Sequence, residues 1–231
     1  PFVAAGGLLI ALGFLLGGYD IALTPEGAEE LRSWGANAVP MVNPCPDPGD
    51  TADPASSRTV VFIGRLSEGK QVDHLIRAFD AAARSGWRLR IYGSGPREAD
   101  LRGLAAGADG DVELCGSVDD VGPVLADAAI HALSSRFEGL SMCILEANAV
   151  GVPSVIYDCS PGVRLAGGPA ASLVPNGDVE AFTAALVDLM DDDAARADAG
   201  RRAREYGRRF SAPAVVDQWL ALWDELAARP V

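Results

Sequence analysis

Two acidic side chains, Glu138 and Glu146, stand with seven residues between them in the stretch SSRFEGLSMCILEANAVGVPSV (134–155). The run reads as the end of a buried strand, a short loop and a helix. Gly139, Leu140 and Ser141 open that helix, with Ser141 at the capping position. Free backbone N–H groups at a positive helix end bind anions. Two carboxylates beside an anion site make sense as acceptors for hydroxyl groups, so the pattern fits a ligand carrying phosphate and several hydroxyls, as a nucleotide sugar does. Arg65 and Lys70 bracket the loop GRLSEGK, one a bidentate fork and the other a point charge, and together they could neutralise a diphosphate. Taken alone, such a pair is more often two solvated cations. Lys70 is the single lysine beside 18 arginines.

Other candidates carry less. Gly93-Ser94-Gly95-Pro96 begins like a dinucleotide fingerprint, but Glu98 stands where the third glycine belongs, which argues against a dehydrogenase. The glycines serve either close approach to a ligand or a tight turn. Cys45, Cys115, Cys143 and Cys159 are widely spaced and form no CxxC pair, so they read as reduced thiols rather than a zinc site. His74 and His131 lie in apolar settings and read as packing residues. The net charge of −13 argues against a general nucleic-acid binder and leaves room for a local cationic pocket for phosphate.

Positioning these groups requires a regular scaffold, and the chain supplies one. Strands are expected at 59–63, 88–92, 111–115, 129–133, 154–157 and 171–174, alternating with helices at 72–84, up to 105, 119–127 and after Ser141. Alternation of this kind implies right-handed crossovers and a parallel sheet covered on both faces, with ligands at the carboxyl ends of the strands. Before it come an uncharged apolar run (1–18), a strand from Tyr19 to Leu23, a helix with proline at its first position, and a strand at 38–42. The run 1–18 reads as part of a missing domain, a membrane-contacting segment or non-native sequence. NPCPDPGDTADPASS (43–57) reads as a linker. Three helices close the chain, at 179–190, 194–209 and 212–228. Val215, Val216, Trp219, Leu222, Trp223 and Leu226 fall on roughly one face of the last. Arg201, Arg202, Arg204, Arg208 and Arg209 read as a solvated basic face, with anionic lipid as the minority alternative.

The strings GRLSEGKQVDHLIRAF, LRIYGSGP, LCGSVDD, SSRFEGLSMCILEANAVGVPSVIYD and LVPNGD follow the order seen in retaining glycosyltransferases of family 4. From about Tyr19 to Leu226 the chain resembles the C-terminal, donor-binding half of their two-domain GT-B fold. The resemblance implies that Arg65 and Lys70 hold the donor diphosphate and stabilise the departing nucleotide. It makes Glu138 a contact to hydroxyls of the transferred sugar, Gly139, Leu140 and Ser141 a backbone cradle near the distal phosphate, and Glu146 an acceptor for ribose hydroxyls. Gly93, Gly95 and Val118 lie where the family packs the base. Hexosyl transfer with retention, without a divalent metal or other cofactor, is the implied reaction, and no covalent nucleophile is evident.

Departures accompany the likeness. Gly69 replaces the usual acid before the lysine, Gln71 the usual glycine after it, and DCSPGVRLAGGPAAS lacks the expected glutamate after its glycine. The implied organisation is an apolar segment and a remnant of an acceptor domain (1–42), a linker (43–57), a Rossmann-like donor domain (58–210) and a crossing helix (211–231). The implied partners are a nucleotide diphosphate sugar and a glycan or lipid acceptor, with no nucleic acid. The expected location is the cytoplasm, with peripheral contact at the inner membrane face. The rival reading is a catalytically silent nucleotide-sugar module that needs a partner domain.

Overall fold

A computed structural model describes residues 20–228 except 48 and 50. The apolar run 1–18 and Tyr19 lie outside the described residues. The described chain divides into two compact units, one of Cys45–Arg208 and one of the residues before and after it.

The larger unit is built on a six-stranded sheet. Its strands are β3 (Thr59–Ile63), β4 (Arg88–Tyr92), β5 (Asp111–Gly116), β6 (Ile130–Leu133), β7 (Ser154–Asp158) and β8 (Ser172–Pro175). They lie in the order β5-β4-β3-β6-β7-β8, every pairing parallel. Continuous apolar runs such as TVVFI suit central strands buried on both faces, and Val60, Val61 and Phe62 are fully buried. The crossovers are α2 (Val72–Ala82), α3 (Glu98–Ala106), α4 (Gly122–Ala126), α5 (Met142–Val150) and α6 (Pro161–Gly167), followed by α7 (Val179–Asp191) and α8 (Asp193–Gly207). Helix α2 packs against α7 and α5 against α8, sandwiching the sheet. This is the Rossmann-like α/β architecture expected. The order reverses between β3 and β6, which opens a crevice at their carboxyl ends.

Helix α6 was not foreseen. Ser160 starts it by accepting the Val163 N–H, with proline at the first helical position. The stretch expected to be a linker belongs, from Cys45 on, to the larger unit. The Ala52 N–H donates to the Val150 carbonyl, 2.9 Å. Arg196, fully buried, donates from Nε to the Pro54 carbonyl (2.7 Å) and from Nη2 to that of Ala55 (3.3 Å), and stacks over Trp87 at 5.0 Å. These bonds make the stretch a strap rather than a free tether.

In the smaller unit β1 (Asp20–Ala22) pairs in parallel with β2 (Ala38–Pro40) around α1 (Pro25–Ser33). The helix is capped by Thr24, whose hydroxyl accepts the Gly27 N–H at 3.0 Å. The apolar face of the final helix α9 (Ala212–Ala227) is only partly covered. Val215 and Leu222, seven residues apart, are buried, while Val216, Leu220 and Trp223 beside them are exposed. The Leu226 side chain lies outside the described residues.

Candidate functional site

The loops that follow β3 and β6 face each other across the crevice and are tied together by backbone. The Ser134 hydroxyl donates to the carbonyls of Lys70 (3.1 Å) and Gln71 (2.9 Å). The Arg136 N–H donates to the Gly69 carbonyl at 2.8 Å. Gln71 has φ 46° and ψ 42°, the left-handed region, which explains why glycine suits this position in the family.

This frame brings Lys70 onto Glu138, whose Oε1 accepts from the Lys70 ammonium and from the Ser135 hydroxyl, the latter at 2.7 Å. Both charged side chains are largely shielded, with 24% and 11% of their surface exposed. Glu138 Oε2 takes no bond among the described residues and is available to a hydroxyl donor. Arg65 is exposed and lines a cleft of about 530 Å³ with Gly93, Gly95, Ser117 and Val118. The structure thus gathers Arg65, Gly93, Gly95 and Val118 in one cleft, with the Lys70–Glu138 pair on the loops beside it.

The two glycines have a reason that neither sequence reading supplied. A Cβ on Gly93 would lie 1.9 Å from the Gly64 carbonyl oxygen, and one on Gly95 2.3 Å from that of Leu66. Gly93 also has φ +141°. The loop presses directly on the backbone after β3, and the Leu66 N–H donates to the Ser94 carbonyl at 2.9 Å. Loop-to-loop packing, rather than a turn alone, requires glycine here.

Ser141 corrects an expectation. Helix α5 begins at Met142, with Ser141 at the N-cap position, but the Ser141 hydroxyl makes no capping bond. Its Oγ lies 3.1 Å from Cys143 Sγ instead. Gly139, Leu140 and Ser141 therefore lead into the helix rather than opening it, and the first N–H groups of α5 keep no side-chain partner among the described residues. Glu146 does not share the Arg65 cleft. It lines a neighbouring groove of about 290 Å³ with Pro46, Asp47, Asp119 and Val121. Burial pushes its carboxyl above the usual range. The strap thus forms one wall of that groove, and burial next to Glu146 pushes the Cys45 thiol up to about 11.

Burial likewise raises Cys143 to about 11 and raises Cys159. Both stay protonated near neutrality and are poor nucleophiles. His131 is fully buried, its Nδ1 3.0 Å from Ser154 Oγ, and His74 Nδ1 lies 3.2 Å from Tyr157 Oη. Neither lines the cleft or the groove. Sequence reading missed Ser134, Ser135, Arg136, Asn176 and Gly162. Asn176 Nδ2 donates to the Arg136 carbonyl at 3.0 Å. A Cβ on Gly162 would fall 1.5 Å from the Gly139 carbonyl oxygen. The only sequence signal for these was membership of the strings around Glu138 and LVPNGD.

Comparison with known proteins agrees with this fold. The family model "Glycosyl transferases group 1" matches residues 57–192, and the chain belongs to that family. It is 38% identical over 220 residues to an exopolysaccharide phosphotransferase of Streptomyces coelicolor, covering 90% of this chain and 23% of that protein. It is also 38% identical over 154 residues to a GDP-mannose-dependent monoacylated alpha-(1-6)-phosphatidylinositol monomannoside mannosyltransferase of Corynebacterium glutamicum, covering 62% of this chain and 40% of that protein. The chain thus spans less than half the length of either relative. Among solved structures, Anabaena HepE in complex with UDP superposes with a TM-score of 0.82 at 16% identity, over 94% of this chain and 66% of that one. Among the described residues no helix is long and apolar enough to cross a membrane.

Proposed function

We propose that this chain is the donor-binding half of a retaining, family 4 glycosyltransferase that moves a hexose from a nucleotide diphosphate sugar to a glycan or lipid acceptor. The observation that carries the reading is the Lys70–Glu138 pair, held across the switch-point crevice beside Arg65 and the glycine-lined cleft. Arg65 and Lys70 stabilise the charge that collects on the diphosphate as its bond to the anomeric carbon breaks. Glu138 Oε2 accepts from a hydroxyl of the transferred sugar, and Glu146 from the ribose. The acceptor hydroxyl attacks the face that the diphosphate leaves, and the departing phosphate oxygen takes its proton. No divalent metal is assigned a role, because the cations and the α5 N–H groups supply the electrostatics.

The relatives' names, which mention exopolysaccharide and phosphatidylinositol mannoside, support a glycan or lipid acceptor. They favour an enzyme over a silent binding module. The test is calorimetric titration of the chain with UDP, GDP and ADP, in buffer containing EDTA. The expected result is selective binding of one nucleotide, lost in Lys70→Ala and Glu146→Ala. A folded chain that binds none of the three would refute the reading.

A further inference from the structure

The charge of the crevice does not balance with the residues considered so far. The Lys70 ammonium is ion-paired with Glu138, so the pair brings no net charge to a ligand. Arg65 is then a single unpaired guanidinium facing a doubly ionised diphosphate. Two other arginines that follow the carboxyl ends of the strands, Arg97 in the loop after β4 and Arg164 in α6, are already engaged, Arg97 with Asp100 at 3.1 Å and Arg164 with Asp158 at 2.6 Å.

Arg136 is different. Its side chain is exposed and has no partner among the described residues. Its backbone is fixed on both sides of the residue. The N–H donates to the Gly69 carbonyl, one residue before Lys70, at 2.8 Å, and the carbonyl accepts from Asn176 Nδ2 at 3.0 Å. The residue is therefore anchored at the mouth of the crevice, two positions before Glu138, with a free guanidinium on a long arm. Asn176 reaches it from the loop after β8, which explains why LVPNGD travels with the other strings although none of its side chains lines the cleft.

We propose that Arg136 is a second guanidinium contact to the donor diphosphate and that Asn176 is its positioning residue. Arg136 and Arg65 together present two positive charges to the diphosphate, Arg136 making good the one that Glu138 neutralises on Lys70, in a geometry suited to forked contacts with phosphate oxygens. The proposal rests on the donor-site reading above.

The experiment is calorimetric titration of the chain with its preferred nucleoside diphosphate, with the matching nucleoside and with pyrophosphate. Arg136→Ala is expected to weaken the diphosphate and pyrophosphate about tenfold and to leave the nucleoside and the melting temperature unchanged. Its diphosphate affinity should also depend less on salt. Arg136→Lys should recover part of the loss. Asn176→Ala should give a smaller loss with the same ligand pattern, and the double variant should bind no worse than Arg136→Ala, because both act through one group. Arg201→Ala, an equal change in net charge on α8, should bind as the parent does. Parent-like diphosphate affinity in Arg136→Ala, with loss in Arg65→Ala, would overturn the proposal and leave the donor site standing. A parent chain that binds no diphosphate would overturn both.

Discussion

Replacing Gly162 by alanine attacks the site from behind without touching a ligand-facing group. Gly162 lies in the first turn of α6, buried against the loop that carries Glu138. An added Cβ would fall 1.5 Å from the Gly139 carbonyl oxygen, 2.5 Å from its carbon and 3.2 Å from the Leu140 nitrogen. All three are backbone atoms, so no side chain can rotate out of the way. Restoring an ordinary contact requires the loop or α6 to retreat by about 1.5–2 Å. Glu138 is the residue before Gly139, and its Oε1 is held by Lys70 and Ser135, so a retreat of that size breaks this arrangement. A misplacement of about 1 Å in a reacting group lowers rates by about a hundredfold. Under the proposed function, Gly162→Ala should therefore lose at least that much of any sugar transfer the site supports, and most nucleoside diphosphate binding in this chain. Calorimetry for binding and far-UV circular dichroism for the fold check it. A folded variant with parent-like binding would refute the idea that α6 sets the position of the Glu138 loop.

Three further outcomes follow from the packing. His131 is fully buried and its imidazole is held down to about 4 by desolvation. The unfolded imidazole titrates near 6.5, so between these values the unfolded chain binds more protons. Stability present above pH 6.5 should fall by about 3 kcal/mol as pH drops through 4; urea midpoints across that range should show a slope that His131→Val lacks. Arg196→Ala leaves the carbonyls of Pro54 and Leu189 without their donor and should cost about 3 kcal/mol or more, with Arg196→Lys restoring little; parent-like stability would show the strap to be held by other contacts. Ala83, exposed at the end of α2, has φ 47°, and Ala83→Gly should stabilise by up to about 1 kcal/mol in urea unfolding.

The scaffold was legible because its signals are local. TVVFI and RLRIY have the length and branching of buried strands, and β3 and β4 fall at the expected residues. Helix α6 was not legible, since PGVRLAG has only seven residues, three of them glycine or alanine, and only its cap and its contact with Gly139 reveal it. The charged residues at the crevice were readable as types, yet their pairing was not, because Lys70 and Glu138 are 68 residues apart. The same distance problem hid Arg196. It sits in a helix rich in charged residues, while the Pro54 and Ala55 carbonyls it holds are far back along the chain. Ser141 failed for a different reason. The neighbouring thiol competes for its hydroxyl, and that competition is set by the side-chain geometry of the helix start.

The strap also sets an order of events during synthesis. The Pro54 carbonyl and the Arg196 guanidinium that holds it are 142 residues apart. At about 5–20 residues per second, a ribosome needs roughly ten seconds or more between making the two. Through that interval the β3–β7 sheet can assemble while the segment from Cys45 to Pro54 has the Ala52–Val150 bond but not the Arg196 clamp. The second hold, from Arg196 to the Pro54 and Ala55 carbonyls, comes only when α8 has emerged. The groove beside Glu146, which has this segment as one wall, is therefore completed late, after the strands it stands on.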